Sequence, residues 1–254
     1  MKRLLNVFVL SSICLLFSTM TASAFDFMGA ENLFVDEALS DDHYLAGGRA
    51  VVSEAVDGDL YIAGGDVTIE GDVTQDLMIA GGRVTVNGNV GDDLRVVGGQ
   101  VLVMGNVGDD LIAFGGQVDI SGNSVIGGSV VGGSGYLTLD GEVKEDVRGG
   151  FGMLIVNGIV GGNIIATVEE KLEIGTSAQV GGDLNYAALI EMDVPEEQVV
   201  GEIQFNKFQK EEIEEDVSAV NALYWSFRGV SFLSALMILI LWVAFAPNSL
   251  LRAG

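Results

Sequence analysis

Residues 60–76 read LYIAGGDVTIEGDVTQD and residues 77–93 read LMIAGGRVTVNGNVGDD, two copies of one seventeen-residue unit laid end to end. Outward from this pair the beat runs from about Asp42 to Leu184. Gly71, Gly88, Gly105, Gly122, Gly141, Gly158 and Gly175 follow one another in steps of 17, 17, 17, 19, 17 and 17. A fixed short period marks a solenoid, in which each repeat buries its apolar face only against its neighbours. Inside a unit the apolar residues alternate over short spans: Leu60 and Ile62, then Val67 and Ile69, then Val73. Alternation means strand, with every second side chain pointing inward. The glycine pairs 64/65, 81/82, 98/99 and 115/116 break the spans too often for a helix, and glycine supplies the backbone angles a tight corner demands.

The expected fold is all-β: a three-sided parallel β-helix of about eight rungs over residues 42–186. Its inward columns are stacked aliphatics, such as Val52, Ile69, Val86, Val103, Ile120, Leu139, Val156 and Ile174, as a dry parallel core requires. Two additional residues enter near Ser124–Ser129, read as a bulged corner.

Residues 1–24 carry Lys2 and Arg3, an apolar run and Ala22-Ser23-Ala24, the layout of a cleaved signal peptide. Cys14, the one cysteine, lies inside it, so no thiol chemistry is expected of the mature chain. Residues 25–41 are expected to form an N-terminal cap over the first rung, or a leader. Residues 187–227, with KFQKEEIEED at 207–216, read as an acidic stalk. Residues 228–251 read as a transmembrane helix: Gly229–Leu251 is 23 residues without a charge, roughly 35 Å of helix. A buried soluble helix is the plainer alternative. Residues 252–254 are a short tail, compatible with a piece of a longer membrane protein. The cleaved signal orients the chain at a cell membrane, single-pass, with the β-helix extracytoplasmic.

The formal charge of −24 argues against nucleic acid and anionic lipid headgroups as partners. Phosphate loops, zinc-ligand spacings and nucleophile elbows do not occur in the sequence, and the glycine strings are corners of the repeat with no helix following. No catalytic residue and no cofactor is expected. The lone histidine, His43, falls in an inward slot and reads as a rung residue rather than a base or ligand.

Two columns stand out. Asp42, Asp59, Asp76, Asp93, Asp110, Asp146 and Asp183 share one slot, with Ser129 and Asn163 in its remaining places. Carboxylates one rung apart repel by about 1 kcal/mol in water, and a calcium ladder on Asp59, Asp76, Asp93 and Asp110 would relieve that. Asn and Ser in the same slot favour the alternative, a side chain that hydrogen-bonds its own turn. The second column points outward and is semi-apolar: Tyr44, Tyr61, Met78, Arg95, Ile112, Val131, Arg148, Ile165. Exposed apolar stripes imply contact with a partner or a second copy; cover by the stalk is the other reading.

The strings GDLYIAGGDVTIEGDV (58–73) and GNVGDDLRVVGGQVLVMGNVGDDL (88–111) resemble bactofilins, the polymer-forming cytoskeletal family. That resemblance implies a right-handed coil and end-to-end assembly without nucleotide into filaments that serve as scaffolds. The signal and the span depart from cytoplasmic bactofilins and look like exported, membrane-tethered relatives, as does GGDLNYAALIEMDVPEEQVVGEI (181–203). The expected function is therefore a non-enzymatic, membrane-anchored scaffold that self-associates into an oligomer or polymer at the cell envelope. The alternative is an extracytoplasmic binding module for envelope polysaccharide or a partner membrane protein.

Overall fold

The computed structural model describes residues 26–207. The expected signal peptide, the remainder of the stalk and the expected transmembrane helix lie outside the described residues. Among the described residues no helix is long and apolar enough to cross a membrane.

The chain winds into a parallel β-solenoid. Its main sheet holds eleven strands in chain order: β1 (Asp26–Val35), β2 (His43–Val52), β3 (Leu60–Ile69), β4 (Leu77–Val86), β5 (Leu94–Val103), β6 (Leu111–Ile120), β7 (Val130–Leu139), β8 (Val147–Val156), β9 (Ile164–Ile174), β10 (Leu184–Ala188) and β11 (Ile203–Lys207). Between them run two-residue strands and single bridges. Val56, Val73, Val90, Val107 and Ile126 pair in succession, as do Val180 and Val199. Each regular turn thus buries five residues in three runs: Leu60 and Ile62, Val67 and Ile69, and Val73, all at most 4% exposed. These are the five inward positions that alternation places there, and the stacked columns form one continuous aliphatic core.

Eleven turns replace the expected eight or so. The additional turn at the start is the stretch read as a cap: Asp26 to Val35 pairs with His43 to Val52 in register. Met28, Leu33, Val35 and Leu39 sit one period before Leu45, Ala50, Val52 and Val56, so they bury into the same columns. The period is hard to see because Gly29-Ala30-Glu31 stands where later turns carry Ala-Gly-Gly. At the far end the solenoid continues past 186 to Lys207, the last described residue. Leu184–Ala188 pairs with Ile203–Lys207, across a link that holds a short 3₁₀ turn at Glu196–Gln198. Tyr186, buried, accepts from the Met192 N–H at 3.1 Å through its hydroxyl and packs at 5.4 Å between ring centroids against Phe205.

The two additional residues of the sixth turn lie earlier than expected. Ile120 still pairs with Val103, whereas Val107 bridges Ile126, so the insertion falls at 121–125. There Ser124 closes a turn through its N–H to the Ser121 carbonyl at 2.9 Å and donates its hydroxyl to the Gly105 carbonyl at 2.7 Å.

The glycines work differently from the expectation. Among the described residues only Gly58, at φ 153°, and Asp41, at φ 72°, have positive φ. The paired and single glycines are instead demanded by close approach. A Cβ on Gly88 would lie 2.0 Å from the Gly71 carbonyl oxygen, and one on Gly105 would lie 1.9 Å from that of Gly88. Stacked corners leave no room for a side chain between consecutive backbones.

Candidate functional site

The aspartate column forms one edge of the long sheet, just before each long strand. At this corner the backbone N–H has no strand partner, and a buried or half-buried donor left unpaired is costly. The side chain of the preceding turn supplies the acceptor. Asp59 N–H donates to Asp42 Oδ1 at 3.1 Å, Asp76 N–H to Asp59 at 3.1 Å, Asp93 N–H to Asp76 at 3.2 Å and Asp110 N–H to Asp93 at 3.0 Å. The chain continues through Ser129 N–H to Asp110 at 2.7 Å. Beyond, Asn163 N–H donates to Asp146 at 2.6 Å and Asp183 N–H to Asn163 Oδ1 at 2.8 Å. Each side chain therefore bonds the next turn rather than its own. An amide oxygen serves as well as a carboxylate, which is why Asn163 fits the slot.

Arg95 fills part of the cation's place in this ladder. Its guanidinium donates to Asp76 Oδ2 at 2.7 Å and also pairs with Asp93 Oδ2; these carboxylates raise the Arg95 pKa, through the Asp76 hydrogen bond first. Arg148 pairs with Asp146. The Tyr61 hydroxyl donates to Asp59 Oδ2 at 3.3 Å, and its pKa is raised first by burial, then by the Asp59 charge. Hydrogen bonding from Asn163 holds the Asp146 carboxyl below its ordinary value, partly offset by burial, with Arg148 adding to it.

Of the four aspartates in the less favoured calcium-ladder reading, only Asp93 belongs to a group whose ligand atoms converge. Asp92, Asp93 and Asp109 bring one carboxylate oxygen each within 4.8 Å of the others. Three such oxygens are fewer than the six to eight that calcium takes. Repulsion from Asp110, then burial, then Asp93 and Asp92, raises the Asp109 pKa.

The outward column is one register line. Tyr44, Tyr61, Met78, Arg95, Ile112 and Val131 pair in sequence, and Arg148 and Ile165 continue it. Tyr44 and Tyr61 stack face to face, with centroids 4.7 Å apart and planes within 6°. Met78 is 44% exposed, Val131 37% and Ile165 45%; Tyr44, Tyr61 and Ile112 are half-buried. Two residues on along the strands, Val97 and Phe114 are also exposed, widening the stripe into a patch that the single-column reading missed. Their slot, alanine in the earlier turns, was the available signal.

A second side-chain ladder escaped sequence reading altogether. Asn89 N–H donates to Asp72 Oδ1 at 2.7 Å, Asn106 N–H to Asn89 at 3.0 Å and Val125 N–H to Asn106 at 3.0 Å. The recurring Gly-Asp-Val and Gly-Asn-Val triplets at 71–73, 88–90 and 105–107 carry it. His43 is buried in the inward column opposite Leu60, its Nδ1 2.9 Å from the Asp41 carbonyl oxygen, in keeping with a structural place. No family model, curated protein or solved structure matches this chain.

Proposed function

We propose that this chain is a non-enzymatic, bactofilin-like scaffold: a three-sided, right-handed β-solenoid, tethered to a cell membrane with the solenoid extracytoplasmic, that self-associates at the cell envelope. The carrying observation is the openness of the stack. Each terminal strand, β1 and β11, has one neighbour in the main sheet among the described residues. An unpaired parallel edge above an aliphatic core section is a template for another strand. Because residues 26–35 form a turn rather than a cap, the first edge of the described stack is a ten-residue strand like those of β2 to β8. The Met78, Val97, Phe114 and Val131 patch supplies a second, lateral surface of the kind that marks protein contact.

The test is negative-stain electron microscopy of the purified protein across a concentration series, with calcium or with a chelator. Filaments or sheets that grow with concentration and ignore calcium are expected. Single short particles at all concentrations would overturn self-assembly, and calcium-dependent filaments would turn the aspartate ladder into a metal site. Tyr61→Lys with Ile112→Lys should separate filaments that associate side by side while leaving end-to-end growth.

A further inference from the structure

The corner made by the glycine pairs is regular for five turns, β2 to β6, and is then rebuilt. In β3 to β6 the ladder passes through Gly64, Gly81, Gly98 and Gly115, and the inward slot two residues earlier is Ile62, Ile79, Val96 and Ala113. In β7 and β8 that inward slot becomes Gly132 and Gly149. The corner position becomes Ser134 and then Phe151, which is 4% exposed and turns into the core. Its ring fills the space the glycines vacate: a Cβ on Gly149 would lie 2.9 Å from the Phe151 Cζ atom. In β9 the register then slips, Val168 pairing with Phe151 but Lys171 with Met153, so that one additional residue enters. Bulges of this kind re-aim side chains and are enriched beside functional sites. Here the bulge places Glu169 and Glu170 on the surface, opposite Gly152 of the preceding turn.

The rebuilt corner holds an open cleft of about 460 Å³, lined among others by Tyr136, Gly150, Phe151, Thr167, Glu169 and Glu170. That volume lies within the range of small-ligand sites. Tyr136 is 51% exposed, and a side chain on Gly150 would meet nothing within 4 Å, so the floor is bare. Among the described residues no basic side chain lines the cleft. The neighbouring Lys171 is engaged with Glu173.

We propose that this cleft binds an organic cation, an ammonium or guanidinium group held between the Tyr136 ring and the Glu169 and Glu170 carboxylates. An aromatic face attracts such a cation through its quadrupole, and two adjacent carboxylates, with the neighbouring Lys171 ammonium paired to Glu173, add Coulomb attraction. The same carboxylates exclude anionic ligands. The site does not depend on self-association, since it is assembled within three consecutive turns of one chain.

The experiment is NMR titration of the full chain, purified in detergent and labelled at glycine and tyrosine. The probes are tetramethylammonium and N-acetyl-arginine amide, with sodium at matched ionic strength and tert-butanol as neutral control. Saturable shifts centred on Tyr136, Gly150 and Gly152 are expected with the organic cations alone. Preference for one probe distinguishes a methylated headgroup from a side chain as the natural source. Tyr136→Leu should weaken binding about two- to fivefold, and Glu169→Gln with Glu170→Gln about tenfold. Both variants alter exposed side chains, and an unchanged melting temperature verifies the fold. Shifts that spread over the acidic surface without saturating, equal binding of tert-butanol, or variants that bind as the parent does would each overturn the proposal.

Discussion

At the scale of single residues, the acidic column shows how one repeated side chain can be stabilised or strained by its neighbours. Asp146 sits in the ladder with Asn163 donating to it and Arg148 paired to it, and its pKa is lowered. Its ionised form therefore stabilises the fold; that contribution is complete above the unfolded value near pH 4 and is lost as pH falls through the lower folded value. Asp109 lies outside the ladder against Asp110, Asp93 and Asp92, and its pKa is raised. Ionising it costs the folded state; the cost is complete above the folded value and absent below about pH 4. Asp146→Asn should thus lower the melting temperature at pH 7 and Asp109→Asn should raise it. Both differences should shrink as the pH falls through 4 and below, which thermal denaturation over a pH series measures. Equal and pH-independent effects would mean the two carboxylates sit in equivalent surroundings.

The element that decides stacking is the corner rather than the strand. The strands follow from alternation, whereas the corners depend on whether consecutive backbones can touch. Gly71, Gly88 and Gly105 form a column in which each would-be Cβ collides with the carbonyl below it. Gly88→Ala should therefore force the third and fourth turns apart and cost about 2 kcal/mol or more, read as a fall in the denaturant midpoint. A neutral result would mean that the stack relaxes more freely than its carbonyl contacts imply. The same column explains why counting glycines misplaces the ninth turn. Gly175 N–H bonds the Val156 carbonyl at 2.8 Å, as Asn157 N–H bonds that of Leu139 at 2.8 Å, so Gly175 takes the place of Asn157 and not that of Gly158. Ile174 pairs with Val156, eighteen residues back. A bulge hides inside an apparently regular step, because glycine recurs in the sequence while register is set by which carbonyl is reached.

For the solenoid as a whole, each turn contacts mainly the turns beside it, so the stack behaves as a sum of turns and junctions. Removing residues 26–41 should then expose the inward face of β2, with Leu45, Ala50 and Val52 now buried at 3% or less. A lowered melting temperature and less cooperative unfolding are expected by calorimetry; an unchanged transition would restore these residues to the status of a leader. Alternation and the seventeen-residue beat made the all-β solenoid and its five inward columns legible without coordinates, since period and side-chain face are local properties of the chain. The ladder of aspartates was visible as a column, and so was the outward stripe. Their partners were not: the bond from Asp76 to the next turn, the Arg95 clasp and the convergence of Asp92, Asp93 and Asp109 depend on which turns lie in contact.

The number of turns among the described residues, the rung hidden in residues 26–35, the continuation past 186 and the rebuilt corner around Phe151 were decided by the tertiary structure alone. The physical reason is that an apolar pattern specifies which face goes inward, but only backbone contact between successive turns specifies where a turn begins, slips or ends.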